Sequence, residues 1–339
     1  MKLGKVPILD FVNKVPGGLM VVPLFLGVLV NTFFPQVLEI GSFTTGLFKT
    51  GTSALIGFTF FCSGSQIRFK TAGITLYKGL VINTGKVLTG VACGVIFAKV
   101  AGPDAAFLGV TPLAMISSMS NSNGGLFAAL SARYGTSSDV GALAVLATND
   151  GPFFEMMFMG VAGVANIPIM TLVACLVPLV VGMVLGNLDD KIADFLKPGV
   201  LLSIPFFSFP LGAAMDLKTL ISAGFPGILL GVMTVIITGF PTYFLYRLLI
   251  PKSQRHSCVP GMAIGTAAGN CVATPLAIAN ADPTWAPYVP VAAAQCAAAV
   301  IVTALLVPLF VDFLYKREQK KGQLNMDLLP DGLSAIDAD

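Results

Sequence analysis

Charge is what this sequence has least of. Only 11% of its residues are Asp, Glu, Lys or Arg, where a soluble domain carries roughly 25%. Histidine occurs once, as His256 in a basic loop beside Arg255. That excludes a histidine-based metal centre and a histidine-dependent catalytic triad, and His256 itself reads as a solvated loop residue. The six cysteines, Cys62, Cys93, Cys175, Cys258, Cys271 and Cys296, form no CxxC pair. Most lie in apolar runs and read as small buried hydrophobes with free thiols. No basic stripe points to nucleic acid. Gly79 to Lys86 imitates a phosphate loop, but it has five residues between its glycines and Val87 where Ser or Thr is required. No nucleotide or other cofactor is therefore expected, and the chain brings no ATPase of its own.

What is present is apolar surface. Hydrophobic residues make up 55% of the chain and the mean hydropathy is +0.85. A soluble fold of this length cannot hide that much apolar surface, whereas in a bilayer the solvent is itself apolar. Apolar runs long enough to span fall near 17–34, 44–66, 75–100, 104–133 and 138–163, then near 167–187, 197–215, 221–249, 257–281 and 285–315. The first begins after Pro16-Gly17-Gly18 and has no small-residue cleavage site, so it is expected to be a retained helix. With ten spans, sixteen of the twenty basic residues fall on one side, including Lys14, Arg133, Lys191, Arg255 and Lys316. That asymmetry places both termini in the cytoplasm.

The chain also repeats itself at offsets of 148 to 155 residues. Val22-Pro23-Leu24 with Gly27 matches Val177-Pro178-Leu179 with Gly182. Gly64 to Thr71 resembles Gly212 to Thr219, and Asn121 answers Asn270. Five spans is an odd number, so the second unit would enter from the opposite face, as in inverted-repeat carriers. The expected fold class is an all-α polytopic membrane protein of ten transmembrane helices in two inverted five-helix repeats. Its expected organisation is a cytoplasmic N-terminus over 1–16, a first repeat over 17–163, a second over 167–315 and a disordered cytoplasmic tail over 316–339.

Two spans are interrupted midway by polar residues. The fourth carries Ser117-Ser118-Met119-Ser120-Asn121-Ser122-Asn123-Gly124-Gly125, and the ninth carries Gly269-Asn270-Cys271-Val272-Ala273-Thr274-Pro275. Backbone that leaves the helix at this depth is tolerated only against protein or a water-filled cavity. Half-helices restarting near Ser122 and Thr274 would aim free amides at the midplane, a place suited to a hydroxylated anion. The alternative is helix packing through small residues. Asn121, Ser122, Asn123, Gly124, Gly125, Asn270 and Thr274 are the primary solute candidates. Lys86, inside the third span, could meet the solute's carboxylate, pair with a carboxyl or snorkel to the interface. Gln295 is a weaker cavity candidate, as are Ser63, Ser65 and Gln66. In the fifth span Asp150 and Glu155 are costly unless they face a cavity or a partner. Either could take up a proton in one transport state, although Asp150, before Gly151-Pro152, could equally be a cap. Sodium near Asn121 and Asn270 remains open, since Asn, Ser, Thr and bare carbonyls are suitable hard-oxygen ligands.

Val15-Pro16-Gly17-Gly18 with Val22 to Gly27, Asn123-Gly124-Gly125-Leu126, Gly151-Pro152, Leu185 to Asp189, Ile204 to Phe207 and Val272 to Pro275 together resemble the 2-keto-3-deoxygluconate permease family, over about residues 13–315. The resemblance implies a proton symporter, not an enzyme, that imports the sugar acid across the inner membrane. It also implies kinship with bile-acid-type sodium symporters, whose broken fourth and ninth helices cross at the solute. The chain departs from the family pattern in having Asn149-Asp150 before Gly151-Pro152, in place of Glu-Ser, and Glu155 in place of threonine.

Overall fold

The structure is a computed structural model that describes residues 7–14, 18–67, 73–149 and 151–328. Among the described residues it is mostly helical, with no strand. The principal helices are α1 (Gly18–Phe33), α2 (Thr52–Ser65), α3 (Gly73–Ala101), α4 (Pro112–Ser120), α5 (Gly124–Tyr134) and α6 (Phe153–Val161). They continue as α7 (Ile169–Leu188), α8 (Asp190–Ala213), α9 (Leu217–Thr234), α10 (Phe240–Leu249), α11 (Thr274–Ala281) and α12 (Val289–Lys320). A π turn at Val235–Gly239 joins α9 to α10 without ending the helix. Five helices among these residues are long and apolar enough to cross a membrane: α3, α7, α8, the continuous Leu217–Leu249 and Pro283–Lys320.

The other apolar runs are jointed, for local reasons. The second divides at Lys49-Thr50-Gly51 into Ser42–Phe48 and α2. The fourth and ninth break at their polar stretches. The fifth, expected as one helix, is fragmented into Ser137–Gly141, Leu143–Leu146, a 3-10 turn at Ala147–Asn149 and α6. Pro152 has no N–H to continue a helix and stands at the N-cap of α6.

Helices α1, α2, α7 and α8 form one packed group, in which α1 lies on α8, α7 on α2, and α2 on α8. The backbones touch through glycine. A methyl at Gly27 of α1 would overlap the carbonyl oxygen of Phe209 in α8, and one at Gly212 would overlap that of Leu24. The α2–α7 pair makes the same contacts with the roles exchanged, Gly182 on Phe61 and Gly64 on Leu179. A turn further on, Asn31 Nδ2 donates to Met215 O at 2.9 Å, and Asn187 Nδ2 donates to Ile67 O at 2.7 Å. Close approach of this kind is how helices gain packing energy in lipid, where no hydrophobic force separates helix from solvent. The outer surface is correspondingly apolar: Ile169, Met170, Leu188, Phe195 and Phe225 are among its exposed side chains.

The remaining helices surround α4, α5 and α11. Helix α3 packs on α4, with Gly90 against the Met119 carbonyl and Gly94 against Ile116, and α9 packs on α12. At one end a buried ion pair joins Lys78 to Asp139 at 3.0 Å, both side chains fully covered. Thr136, Ser138 and Tyr246 supply the remaining hydrogen bonds.

Two expectations for the loops are corrected. His256 is buried, at 1% exposure, with Nδ1 2.8 Å from Asn325 O and Nε2 3.0 Å from Tyr315 Oη. Arg255 beside it turns inward and donates to the carbonyls of Tyr246, Arg247 and Ile250. The cover is the chain beyond residue 316, expected to leave the fold. Instead α12 runs to Lys320, Glu318 is buried and accepts from Tyr243 Oη at 2.6 Å and Cys258 N at 3.0 Å, and Asn325 N donates to His256 O at 2.9 Å. Residues 329–339 lie outside the described residues.

The glycine contacts make a direct prediction. Gly212→Leu should cost about 3 kcal/mol through overpacking and lower the melting temperature of the purified protein. Gly57→Leu, on α2 of the same packed group but facing open space, should leave it unchanged.

Candidate functional site

Helix α4 begins with Pro112 at its first turn and Thr111 as N-cap, whose Oγ1 accepts from Ala114 N. It ends where serine and asparagine offer its last carbonyls other partners, a competition that such side chains generally win at helix ends. Ser120 Oγ donates to Ile116 O at 2.7 Å and Asn121 Nδ2 to Ser117 O at 3.1 Å. The backbone is then extended at Asn121, and Asn123 caps α5 by accepting from Leu126 N at 3.0 Å. The new helix starts at Gly124, two residues beyond the expected Ser122.

The second break is longer than expected. After a single turn at Pro260–Ala263 the chain leaves the helix, makes a 3-10 turn at Gly269–Val272 and restarts as α11 at Thr274. The two breaks touch. Asn123 N donates to Thr266 Oγ1 at 2.8 Å, and Asn121 Nδ2 lies 3.3 Å from Thr274 Oγ1. The ninth-span break thus supplies a partner for a stranded amide of the fourth, and the two are also joined side chain to side chain.

A cavity of about 470 Å³ opens beside this contact. Its floor holds Ser122, Asn123, Gly124, Gly125 and Asn270, five of the residues singled out from the sequence. Its walls come from the start of α1, the last turns of α2 and the middle of α8. Thr59, Ser63 and Gln66 add polar groups, and Gln66 Nε2 is held by Ala193 O at 2.8 Å. No Asp, Glu, Lys or Arg stands among the described lining residues. Behind the floor, Ser122 Oγ donates to Asn149 Oδ1 at 3.2 Å and Asn149 Nδ2 to Asn83 Oδ1 at 2.8 Å. This chain of amides ties the fifth-span break to α3.

The other candidates lie elsewhere. Glu155, in the first turn of α6, is 1% exposed. Its Oε1 accepts from Ser120 Oγ and from Asn121 Nδ2, the latter at 2.9 Å, while Oε2 has no partner among the described residues. Asn121 Oδ1 and Ser117 Oγ nearby are likewise buried and unpartnered. Thr274 faces a second, much smaller space bounded by Ile56, Phe60, Gly151, Pro152 and Ala277, which Asn270 also borders. So α5 presents its N-terminus to the main cavity and α11 does not. Gln295 is buried away from the cavity, where Oε1 accepts from Thr111 N at 3.1 Å and Nε2 donates to Gly109 O at 2.7 Å. Lys86 is fully buried and donates to Thr266 O at 2.8 Å and Thr238 Oγ1 at 3.1 Å, so it neither snorkels nor lines the cavity. Asp150 lies outside the described residues.

The first turn of α1 and the face of α8 were not legible as site residues. Both are apolar there, and only the folded packing turns them toward the polar floor.

Comparison with known proteins agrees with this architecture. The family model described as 2-keto-3-deoxygluconate permease (KdgT) matches residues 9–320. The chain belongs to the 2-keto-3-deoxygluconate permease family. It is 47% identical over 313 residues to 2-keto-3-deoxygluconate permease 1 of Salmonella typhimurium, covering 92% of this chain and 97% of that one. It is 38% identical over 314 residues to the 2-keto-3-deoxygluconate permease of Bacillus subtilis, covering 91% and 94%. Among solved structures it resembles the sodium proton antiporter MjNhaP1 from Methanocaldococcus jannaschii, at a TM-score of 0.53 and 15% identity, covering 91% of this chain and 94% of that one. That likeness is one of fold. Membership in the permease family makes the chain a multi-pass membrane transporter rather than an enzyme.

Gln295 and the cavity floor should separate by experiment. Gln295→Leu strands Thr111 N and Gly109 O, at roughly 1–3 kcal/mol for each unpaired group. The melting temperature of the purified permease should fall while its affinity for transported solute stays at the wild-type value. Asn270→Leu should lower that affinity.

Proposed function

We propose that this permease is a secondary active transporter that imports 2-keto-3-deoxygluconate together with protons across the inner membrane. The observation that carries the reading is the pairing, at one crossing of broken helices, of an uncharged cavity with a polar floor and a buried carboxyl just behind it. The cavity offers what a hydroxylated acid needs. The exposed amides at Gly124 and Gly125, at the positive end of α5, suit the carboxylate. Ser122, Asn123, Asn270 and Gln66 suit the hydroxyls. Its volume of about 470 Å³ lies within the range of small-molecule sites.

Glu155 is the proton carrier in this reading. Its Oε1 is held by Ser120 and Asn121, residues of the break that the solute touches. Neutralising Glu155 and filling the cavity therefore act on the same three-residue hinge. Asp150 is the second coupling candidate. A sodium-coupled carrier of another organic anion is the alternative, favoured by one observation: Ser117 Oγ, Asn121 Oδ1 and Glu155 Oε2, around the end of α4, are buried oxygens without partners among the described residues.

The architecture proposed for this cycle is ten spans in two inverted five-helix repeats, with both termini cytoplasmic. The exchanged glycine contacts of α1–α8 and α7–α2, at constant offsets of 155 and 148 residues, support the repeat. The cavity walls lie at the start of α1 and the end of α2, the side to which the asymmetry of basic residues assigns the cytoplasm, and this supports reading the state as open inward. Transport then requires the group α1, α2, α7 and α8 to move against the remainder, closing this cavity and opening the small space beside Thr274.

Proteoliposomes loaded at high pH and diluted into acidic medium should accumulate labelled 2-keto-3-deoxygluconate, and a sodium gradient alone should not drive uptake. Uptake that follows sodium and ignores pH assigns the sodium reading instead. Glu155→Gln should lose pH-driven accumulation by more than about tenfold, since it removes the titrating group, yet keep exchange of labelled for unlabelled solute. Retention of pH-driven accumulation in that variant moves the proton to another group.

A further inference from the structure

The cavity presents a puzzle for an anion carrier: no charged side chain lines it among the described residues. The nearest buried cation by connection is Lys86. Its ammonium is fully covered and donates to Thr266 O at 2.8 Å and to Thr238 Oγ1 at 3.1 Å. Among the described residues no carboxylate lies within ion-pair distance of it, in contrast to Lys78, which faces Asp139 at 3.0 Å. Thr266 is the link to the cavity. Its Oγ1 accepts from Asn123 N at 2.8 Å, and Asn123 caps α5 and lines the floor. The lysine stands one residue behind the wall.

The surroundings hold it there. Neighbouring Gly85 packs so closely on Thr242 of α10 that a methyl would come within 2.8 Å of its hydroxyl. Gly90, a turn on, lies against the Met119 carbonyl of α4. Thr238 belongs to the π turn Val235–Gly239, a local register change of a kind often found at functional sites. The ammonium has no route to the bilayer surface, unlike a lysine near a helix end.

Two neutral hydrogen bonds would be made as well by a glutamine. A buried charge without a counter-ion is costly in a membrane core and is tolerated where it serves a function. In a low-dielectric interior its field reaches well beyond its contacts, and salt screens it weakly. We infer that Lys86 is the specificity-determining charge of the permease: by its field, from behind Thr266 and the cap of α5, it biases an uncharged cavity toward carboxylate-bearing solutes without touching them. Thr266 is then a positioning residue that couples the ninth-span break to the helix end facing the solute. This inference rests on the reading of the cavity as a sugar-acid site.

The test is calorimetric binding to the full-length purified permease of two probes, 2-keto-3-deoxygluconate and its neutral carboxamide. Wild-type protein should prefer the acid by about tenfold or more, the size expected of one buried charge at this remove. Lys86→Gln should weaken acid binding about tenfold and leave the amide unchanged, erasing the preference. Lys86→Arg should keep it. Thr266→Val, which breaks the link but leaves the charge, should weaken both probes alike and preserve their ratio. A wild-type ratio in Lys86→Gln overturns the inference, since a purely structural lysine would affect both probes equally. If Lys86→Gln does not fold, the wild-type preference is titrated with salt from roughly 0.05 to 0.5 M, a range over which exposed charges are screened. A constant ratio supports the buried charge, and a collapsing ratio overturns it. Wild-type protein that binds neither probe refutes the sugar-acid reading, and the inference with it.

Discussion

A peptide group that leaves its helix at membrane depth must find its hydrogen bonds inside the protein, because the bilayer has none to give. The core of this permease is arranged around that constraint. Two segments leave the helix, each in mid-span, and each meets the other's polar groups: Asn123 N on Thr266 Oγ1, Asn121 Nδ2 on Thr274 Oγ1. Side chains complete the rest, with Asn121 and Ser120 closing the end of α4 and Asn123 opening α5. On the proposed reading, solute binding supplies partners at the positive end of α5, which places the site where the helices are broken and not where the side chains are charged.

The supporting structure separates two tasks. Helices α1, α2, α7 and α8 meet backbone to backbone through Gly27, Gly64, Gly182 and Gly212, contacts that hold through shape and need no polar glue. The remaining helices carry nearly all of the buried polar network: Lys78–Asp139, the Asn83–Asn149–Ser122 chain, Glu155 with Ser120 and Asn121, and Lys86 behind Thr266. The cavity lies along the boundary between the smooth group and the polar one. A sliding movement there breaks few hydrogen bonds, whereas any movement within the polar group would break many.

Much of this was legible in the sequence because breaks and glycines are written locally. The run from Ser117 to Gly125 cannot continue a helix, and the matched Gly27 and Gly182 announce a repeated contact. Five of the cavity-floor residues followed from that run and its partner near Asn270. What was hidden depends on tertiary neighbours. Gln295 looks like a cavity amide until Thr111 and Gly109 are seen to occupy it. His256 looks solvated until the chain beyond Lys320 folds over it. The fifth-span break could have been found from Gly151-Pro152, a pair that ends helices elsewhere, but the long apolar stretches before Thr148 and after Pro152 read as one span. The second break proved longer than its polar residues: residues 265–268 lie outside any helix, with Gly265 close against Gly239.

The account stands or falls on where the solute sits. A structure of the permease determined in saturating 2-keto-3-deoxygluconate tests it most directly. The sugar acid should lie between the two breaks, its carboxylate on the Gly124 and Gly125 amides and its hydroxyls toward Ser122 and Asn270. Solute found elsewhere in the protein, with this cavity holding only water, would contradict the account.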